Sequence, residues 1–233
     1  MPELPEVEVV KRSLEKRIKS LIIKKIKIYD GNLRYKVTKQ DLSKILGLRL
    51  LKIKRRSKYL LFYFSKKVVV VFHLGMTGKF FIKKNNAKSK TSFYYQIEDL
   101  SNKHNRIEFI LSNKIKLVYN DIRKFGFLKI IHIRNINELN HLKDLGPDPL
   151  TKNFNFKYFK NFLNGKKKSI KDMLMDQRCI AGLGNIYVNE ILFKCKVKPT
   201  RKVNKLKDSE IKNIITGPRL LKKAIILKPL EKK

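Results

Sequence analysis

The chain has 233 residues, 42% of them hydrophobic, which suffices for one large core or two smaller ones and excludes a mostly disordered polypeptide. Lys and Arg number 56 against 19 Asp and Glu, a formal net charge of +37 that self-repels unless a polyanion offsets it. Nucleic acid is the partner such a charge suggests, although the excess of lysine over arginine and the abundance of Ile and Asn are also what an AT-rich genome writes into any protein.

Val7, Val10, Leu14 and Ile18 recur at helical spacing, so the pattern predicts an amphipathic helix from about Pro5 to Lys19. From Ile22 to His132 the period becomes that of short strands: Ile22–Tyr29, Leu48–Ile53, Tyr59–Phe64, Val68–Leu74, Lys79–Lys83, Phe93–Ile97, Arg106–Leu111, Lys114–Tyr119 and Phe127–His132. Ser65-Lys66-Lys67 and Ser112-Asn113 read as hairpin connections, and so many closely spaced strands argue for an antiparallel sandwich. After Ile133 the texture turns helical, with Leu145-Gly146-Pro147-Asp148-Pro149 as a breaker and helices over Phe156–Leu163, Ile170–Met175 and Asn185–Phe193. The expected fold is α+β: an N-terminal helix and antiparallel β-sandwich over 1–132, then a helical domain over 133–233.

The apolar run Val68–Phe72 is far too short to span a bilayer, and the first residues lack a signal-peptide core, so a cytoplasmic protein without membrane contact is expected. Cys179 and Cys195 form no CxxC pair and have no histidine at ligand spacing, which indicates neither a disulfide framework nor a zinc site. They read as ordinary buried thiols.

The chemistry-bearing residues begin at the start of the chain. Removing Met1 leaves Pro2 with a free secondary amine, and an α-amino group titrating near roughly 7.7–8.0 is partly unprotonated at neutral pH and can attack an aldehyde-level carbon to give an iminium. Glu3 places a carboxyl beside it. The same Pro and Glu also suit the first turn of a helix. Gly182-Leu183-Gly184-Asn185 joins two helical segments: either a plain interhelical turn, or a phosphate cradle with Asn185 as the helix N-cap. Met76 after the fourth strand and Phe125 between two others are core residues or else, with Arg123 beside Phe125, an apolar wedge and a cation that enter a duplex where a base has been extruded. The clusters Arg55-Arg56-Ser57-Lys58-Tyr59 and Lys166-Lys167-Lys168 are solvated charge runs or phosphate contacts.

Taken together, MPELPEVE at the terminus, RRSKYLL at 55–61, HLGMTG at 73–78, DIRKFG at 121–126, LGPDPL at 145–150 and LMD…GLGNIYVNE at 174–190 closely resemble bacterial formamidopyrimidine-DNA glycosylase, in that order, over residues 1 to about 200. The resemblance implies a helical domain built on a helix-two-turn-helix motif, and a monomer that removes oxidised purines such as 8-oxoguanine and formamidopyrimidines from damaged double-stranded DNA. Strand cleavage by β- and δ-elimination would follow. Pro2 matches the family's Schiff-base nucleophile, Glu3 the acid that assists sugar ring opening, and Lys58 the lysine credited with proton donation in β-elimination. Met76, Arg123 and Phe125 match the trio that fills the void in the duplex, with Arg123 facing the orphaned cytosine. His104, Lys166, Glu6 and Asn185 align with further DNA-binding positions. A cytoplasmic, nucleoid-associated bacterial protein is implied.

Departures bear on this reading. The family continues past the length of this chain through a loop that covers the flipped base and a four-cysteine zinc finger whose arginine is linked to δ-elimination; a C-terminally truncated member is therefore expected, with no zinc or other cofactor and with Leu220–Lys233 as a lysine-rich helix. Ile122 stands for the usual proline, and Lys124 for the usual arginine, which loses bidentate geometry. The competing reading is a non-catalytic DNA-binding remnant; retention of Pro2, Glu3 and Lys58 together favours the enzyme.

Overall fold

A computed structural model describes residues 2–85, 87–218, 221, 222 and 225. The chain divides into two compact units: one holds Pro2 and Glu6–Asn137, the other Glu3–Pro5 and Glu138–Leu227.

Helix α1 spans Leu4–Ile18. Its stripe Val7, Val10, Leu14 and Ile18 is at most 1% exposed and enters the core of the first unit; each such burial contributes roughly 1.5–3 kcal/mol against an extended chain. Among the described residues nine strands follow: β1 Ile23–Ile28, β2 Leu50–Arg56, β3 Tyr59–Phe64, β4 Val68–His73, β5 Lys79–Lys84, β6 Ala87–Lys90, β7 Asn105–Leu111, β8 Lys116–Asn120 and β9 Phe127–His132. They pair antiparallel in two sheets, ordered β1-β7-β8-β5-β6 and β2-β3-β4-β9. Alternate residues of both sheets turn into one apolar core, where Phe72 of β4 meets Phe80 of β5 at 5.1 Å between ring centroids. The α+β sandwich expected from the strand pattern is the fold of this unit.

One local expectation fails, and one helix has no counterpart in the sequence reading. Phe93–Ile97 forms no strand, and β6 is Ala87–Lys90 instead, four residues with little β propensity that pair Phe81↔Lys90 through Lys84↔Ala87. Side-chain hydroxyls compete for the backbone in the segment after it: Thr91 Oγ1 and Tyr95 OH both donate to the Phe80 carbonyl, while Tyr95 OH also accepts the Thr91 N–H at 2.7 Å. Tyr95 then packs with Phe81, Leu100 and Val118 in a small satellite core. Helix α2, Lys39–Ser43, also went unread, although Thr38 and Asp41 form a reciprocal capping box at 3.1 and 3.0 Å.

In the second unit α3 spans Phe156–Leu163 and α4 Ile170–Met175, each begun by a side-chain cap: Asn155 accepts the Tyr158 N–H and Ser169 the Asp172 N–H. Helices α5, Asn185–Lys194, and α6, Asp208–Thr216, complete it around Phe159, Ile170, Met173, Val188, Ile191 and Ile214. Apart from Leu221, Lys222 and Ile225, the tail expected as a lysine-rich helix lies outside the described residues. Among the described residues no helix is long and apolar enough to cross a membrane.

Candidate active site

The second unit contains the more constrained group. Glu3 is 2% exposed. Its Oε2 accepts the N–H of Gly184 at 2.8 Å and of Tyr187 at 3.4 Å, and its Oε1 accepts the N–H of Ile186 at 3.0 Å. These donors are orphans of the first turn of α5, so a carboxylate from the chain start caps this helix and meets the positive end of its dipole. The expected assignment of this turn is therefore corrected: the N-cap is Gly184, Asn185 is the first helical residue and exposed, and three N–H groups foreseen for a phosphate hold Glu3. Gly182 permits the approach, with φ of +101° and a position where a Cβ would lie 2.7 Å from Leu4 Cδ1. Its carbonyl accepts the Leu4 N–H at 3.1 Å, and Gln177 braces the turn by accepting from Gly182 N–H and donating to the Leu183 carbonyl, both at 2.8 Å.

Lys166 lies elsewhere in this unit. Its ammonium donates to the Phe162 carbonyl near the end of α3 and sits over the Phe162 ring at 3.4 Å, whereas Lys167 and Lys168 are exposed. Cys179 is buried, and burial pushes its thiol up to about 12; Cys195 is only partly buried, which corrects the expectation for that thiol.

In the first unit Pro2 is buried and Glu6 half-buried, the Glu6 carbonyl accepting from the Ser92 hydroxyl at 3.5 Å. Ser57 and Lys58 form the two-residue turn between β2 and β3, where Arg56 pairs with Tyr59 and Ser57 has φ of +56°. Such a turn normally faces water, yet Ser57 is 1% and Lys58 8% exposed. One brace is Arg55, which donates from Nε to Glu8 Oε2 at 2.8 Å and from Nη1 to the Ser57 carbonyl at 3.0 Å. Arg55, read as part of a solvated charge run or of a set of phosphate contacts, is thus a largely buried internal ligand of α1 and of the Lys58 turn.

Met76 and Phe125, for which composition favours the core, are 42% and 45% exposed. They stand on the β4–β5 and β8–β9 loops, and the Arg123 guanidinium lies 4.5 Å from the Phe125 ring centroid. Lys124 turns away from this group, with φ of +58° and its ammonium 2.7 Å from Asp30, which also binds Arg106 at 3.1 Å. The lysine standing for the family's arginine therefore closes an internal ion pair. His104 ends a 3-10 turn, its carbonyl accepting the Asp121 N–H at 3.0 Å. Partial burial, and then the charges of Lys103, Arg106 and Lys79, hold its imidazole below the usual range.

Both halves of the chain match described domains: "Formamidopyrimidine-DNA glycosylase N-terminal domain" over residues 1–128 and "Formamidopyrimidine-DNA glycosylase H2TH domain" over 145–229. The chain belongs to the formamidopyrimidine-DNA glycosylase family. Among its relatives, the formamidopyrimidine-DNA glycosylase of Rickettsia bellii is 39% identical over 227 residues, covering 97% of this chain and 78% of that protein. That of Lactobacillus gasseri is 36% identical over 214 residues, covering 92% and 73%. Among solved structures, the Lactococcus lactis protein in complex with DNA containing an abasic site aligns with a TM-score of 0.85 at 32% identity, over 97% of this chain and 79% of that one. The same protein with DNA containing N7-benzyl-Fapy-dG gives 0.85 at 33% identity, over 97% and 80%. Within this DNA-repair glycosylase family, the residues that sequence reasoning missed are the braces Glu8, Asp30 and Gln177. Glu8, one helical turn from Leu4, carried a visible sign, as a carboxylate beside the helix stripe.

Proposed function

We propose that this protein is a bifunctional DNA glycosylase and abasic-site lyase acting on oxidised purines in duplex DNA. With Met1 removed, the Pro2 nitrogen attacks C1′ of an extruded nucleotide, the C1′–N bond to the base breaks, and the sugar ring opens to an iminium. Glu3 assists ring opening by proton transfer at the ring oxygen. Water takes the C2′ proton, its electron pair forms the C2′–C3′ double bond, and the C3′–O bond breaks to release the 3′ phosphate in β-elimination, with Lys58 as proton donor. Met76, Phe125 and Arg123 fill the space the nucleotide leaves, Arg123 toward the orphaned base. His104, Lys166, Glu6 and Asn185 are the further DNA-binding positions, and exposed lysines hold the backbone.

The observation that carries this reading is Glu3 fixed by three main-chain N–H groups, because it immobilises the residue next to the reactive nitrogen. The Lactococcus lactis complexes with abasic and Fapy-dG DNA support the substrate class. Borohydride trapping on a duplex with 8-oxoguanine opposite cytosine tests it: a covalent adduct on the N-terminal peptide is expected. Tight binding without an adduct would replace the enzyme with a DNA-binding remnant.

A further inference from the structure

The loops bearing Met76 and Arg123 run side by side, one linking β4 to β5 and the other β8 to β9 with their ends paired at His73↔Phe127 and Lys79↔Asn120, and one hydroxyl ties them together between those ends. Thr77 Oγ1 donates to Asp121 Oδ1 at 2.5 Å, and its lone pair accepts the Arg123 N–H at 3.0 Å. Asp121 is fully buried, and its other oxygen accepts from Tyr119 OH at 3.1 Å and from the Gly126 N–H at 2.9 Å. The loop backbones touch as well: a Cβ on Gly75 would lie 2.5 Å from Gly126 N. From the other side the Arg106 guanidinium binds the carbonyl of Asp121 at 2.7 Å. Exposed apolar side chains on independent loops would lose conformational entropy separately on entering a duplex; on one rigid support most of that loss is already met.

Resting on the function proposed above, we infer that Thr77 is a positioning residue that couples the two loops, so that Met76, Arg123 and Phe125 enter the duplex as one unit. Valine at 77 keeps the shape of threonine and deletes both hydrogen bonds, while Asp121 keeps Tyr119 and Gly126 and the Arg123 N–H can reach water. Serine keeps the hydroxyl.

The test compares the full chain with Thr77→Val and Thr77→Ser on three oligonucleotides: an 8-oxoguanine:cytosine duplex, an 8-oxoguanine:adenine duplex, and a single strand with an abasic site, which has no void to fill. Insertion itself is read from 2-aminopurine fluorescence beside a tetrahydrofuran abasic analogue in a duplex. Thr77→Val should lower excision from the cytosine duplex about tenfold, as expected for loss of a hydroxyl worth about one decade. It should also narrow the preference for cytosine over adenine and weaken the 2-aminopurine signal, with Thr77→Ser restoring all three and single-strand trapping within about twofold of the unsubstituted chain. Wild-type behaviour of Thr77→Val on the duplexes would overturn the inference, as would an equal loss on duplex and single strand, which would mean general destabilisation. Absence of excision and trapping in the unsubstituted chain would instead defeat the function on which it rests.

Discussion

Replacing Glu3 by glutamine changes one atom and removes the logic of the α5 cap. An amide has one accepting end and one donating end, so if Oε1 becomes NH2 the Ile186 N–H faces a donor, and if Oε2 does, Gly184 and Tyr187 both do. A buried N–H left without an acceptor costs about 1–3 kcal/mol, and losing a partly buried charge at a helix N-terminus adds roughly 0.3–2 kcal/mol. The sum is about 3 kcal/mol, which for a chain of this size lowers Tm by roughly 6–12 °C. Calorimetry of Glu3→Gln against the unsubstituted chain measures that shift, and amide exchange at Gly184, Ile186 and Tyr187 should accelerate with it. A Tm within about 1 °C and unchanged exchange at those amides would refute the cap, leaving Glu3 a purely chemical role.

Other perturbations read other parts of the site. Retaining Met1 turns the Pro2 nitrogen into an amide, so the trapped adduct should vanish while duplex affinity stays within about twofold; equal trapping would refute the Schiff-base assignment. Duplex affinity should fall steeply with salt, since six or more phosphate contacts cost roughly 10³-fold between about 50 and 200 mM, and a flat response would mean that the +37 charge is compositional. Arg55→Lys keeps the charge but replaces the two nitrogens that separately reach Glu8 and the Ser57 carbonyl by one, so trapping on a preformed abasic duplex should slow about tenfold without loss of binding; an unchanged rate would sever the Lys58 turn from its brace. The hydrogen bond from Lys124, followed by that from Asn32, holds the Asp30 carboxyl below its usual range, as Arg178 does for Asp176. Folded values below unfolded ones mean stability present above about pH 4 and lost as pH falls through the folded values, so urea midpoints should drop in acid and drop less in Asp30→Asn.

The sandwich was legible because its strands are local: β3 and β9 take the ranges their apolar runs indicate, and α3 and α4 begin after the capping Asn155 and Ser169. Phe93–Ile97 was misread because aromatics at strand-like spacing here serve as hydroxyl donors and satellite core, a use that depends on where Phe80 and Gly78 lie. Residue types at the site were also legible, through motif resemblance. Their partners were not. Glu3 and Gly184 are 181 positions apart and Thr77 and Asp121 are 44, and no local pattern specifies which N–H or carboxylate a chain reversal brings near.

That gap bears on how the positive charge is used. A basic cluster in sequence invites the same assignment for each member, yet Arg55 serves Glu8 and a turn carbonyl, Arg106 and Lys124 serve Asp30, and Lys166 serves the end of α3. Substituting these residues removes a buried or half-buried internal contact, and the change in DNA affinity that follows mixes folding with binding. Exposed Lys167 and Lys168 carry no such burden. A salt slope measured on their variants reports phosphate contacts directly, whereas the same slope for Arg55 variants should match the unsubstituted chain, because counterion release depends on charges that face the backbone and not on those neutralised inside the protein.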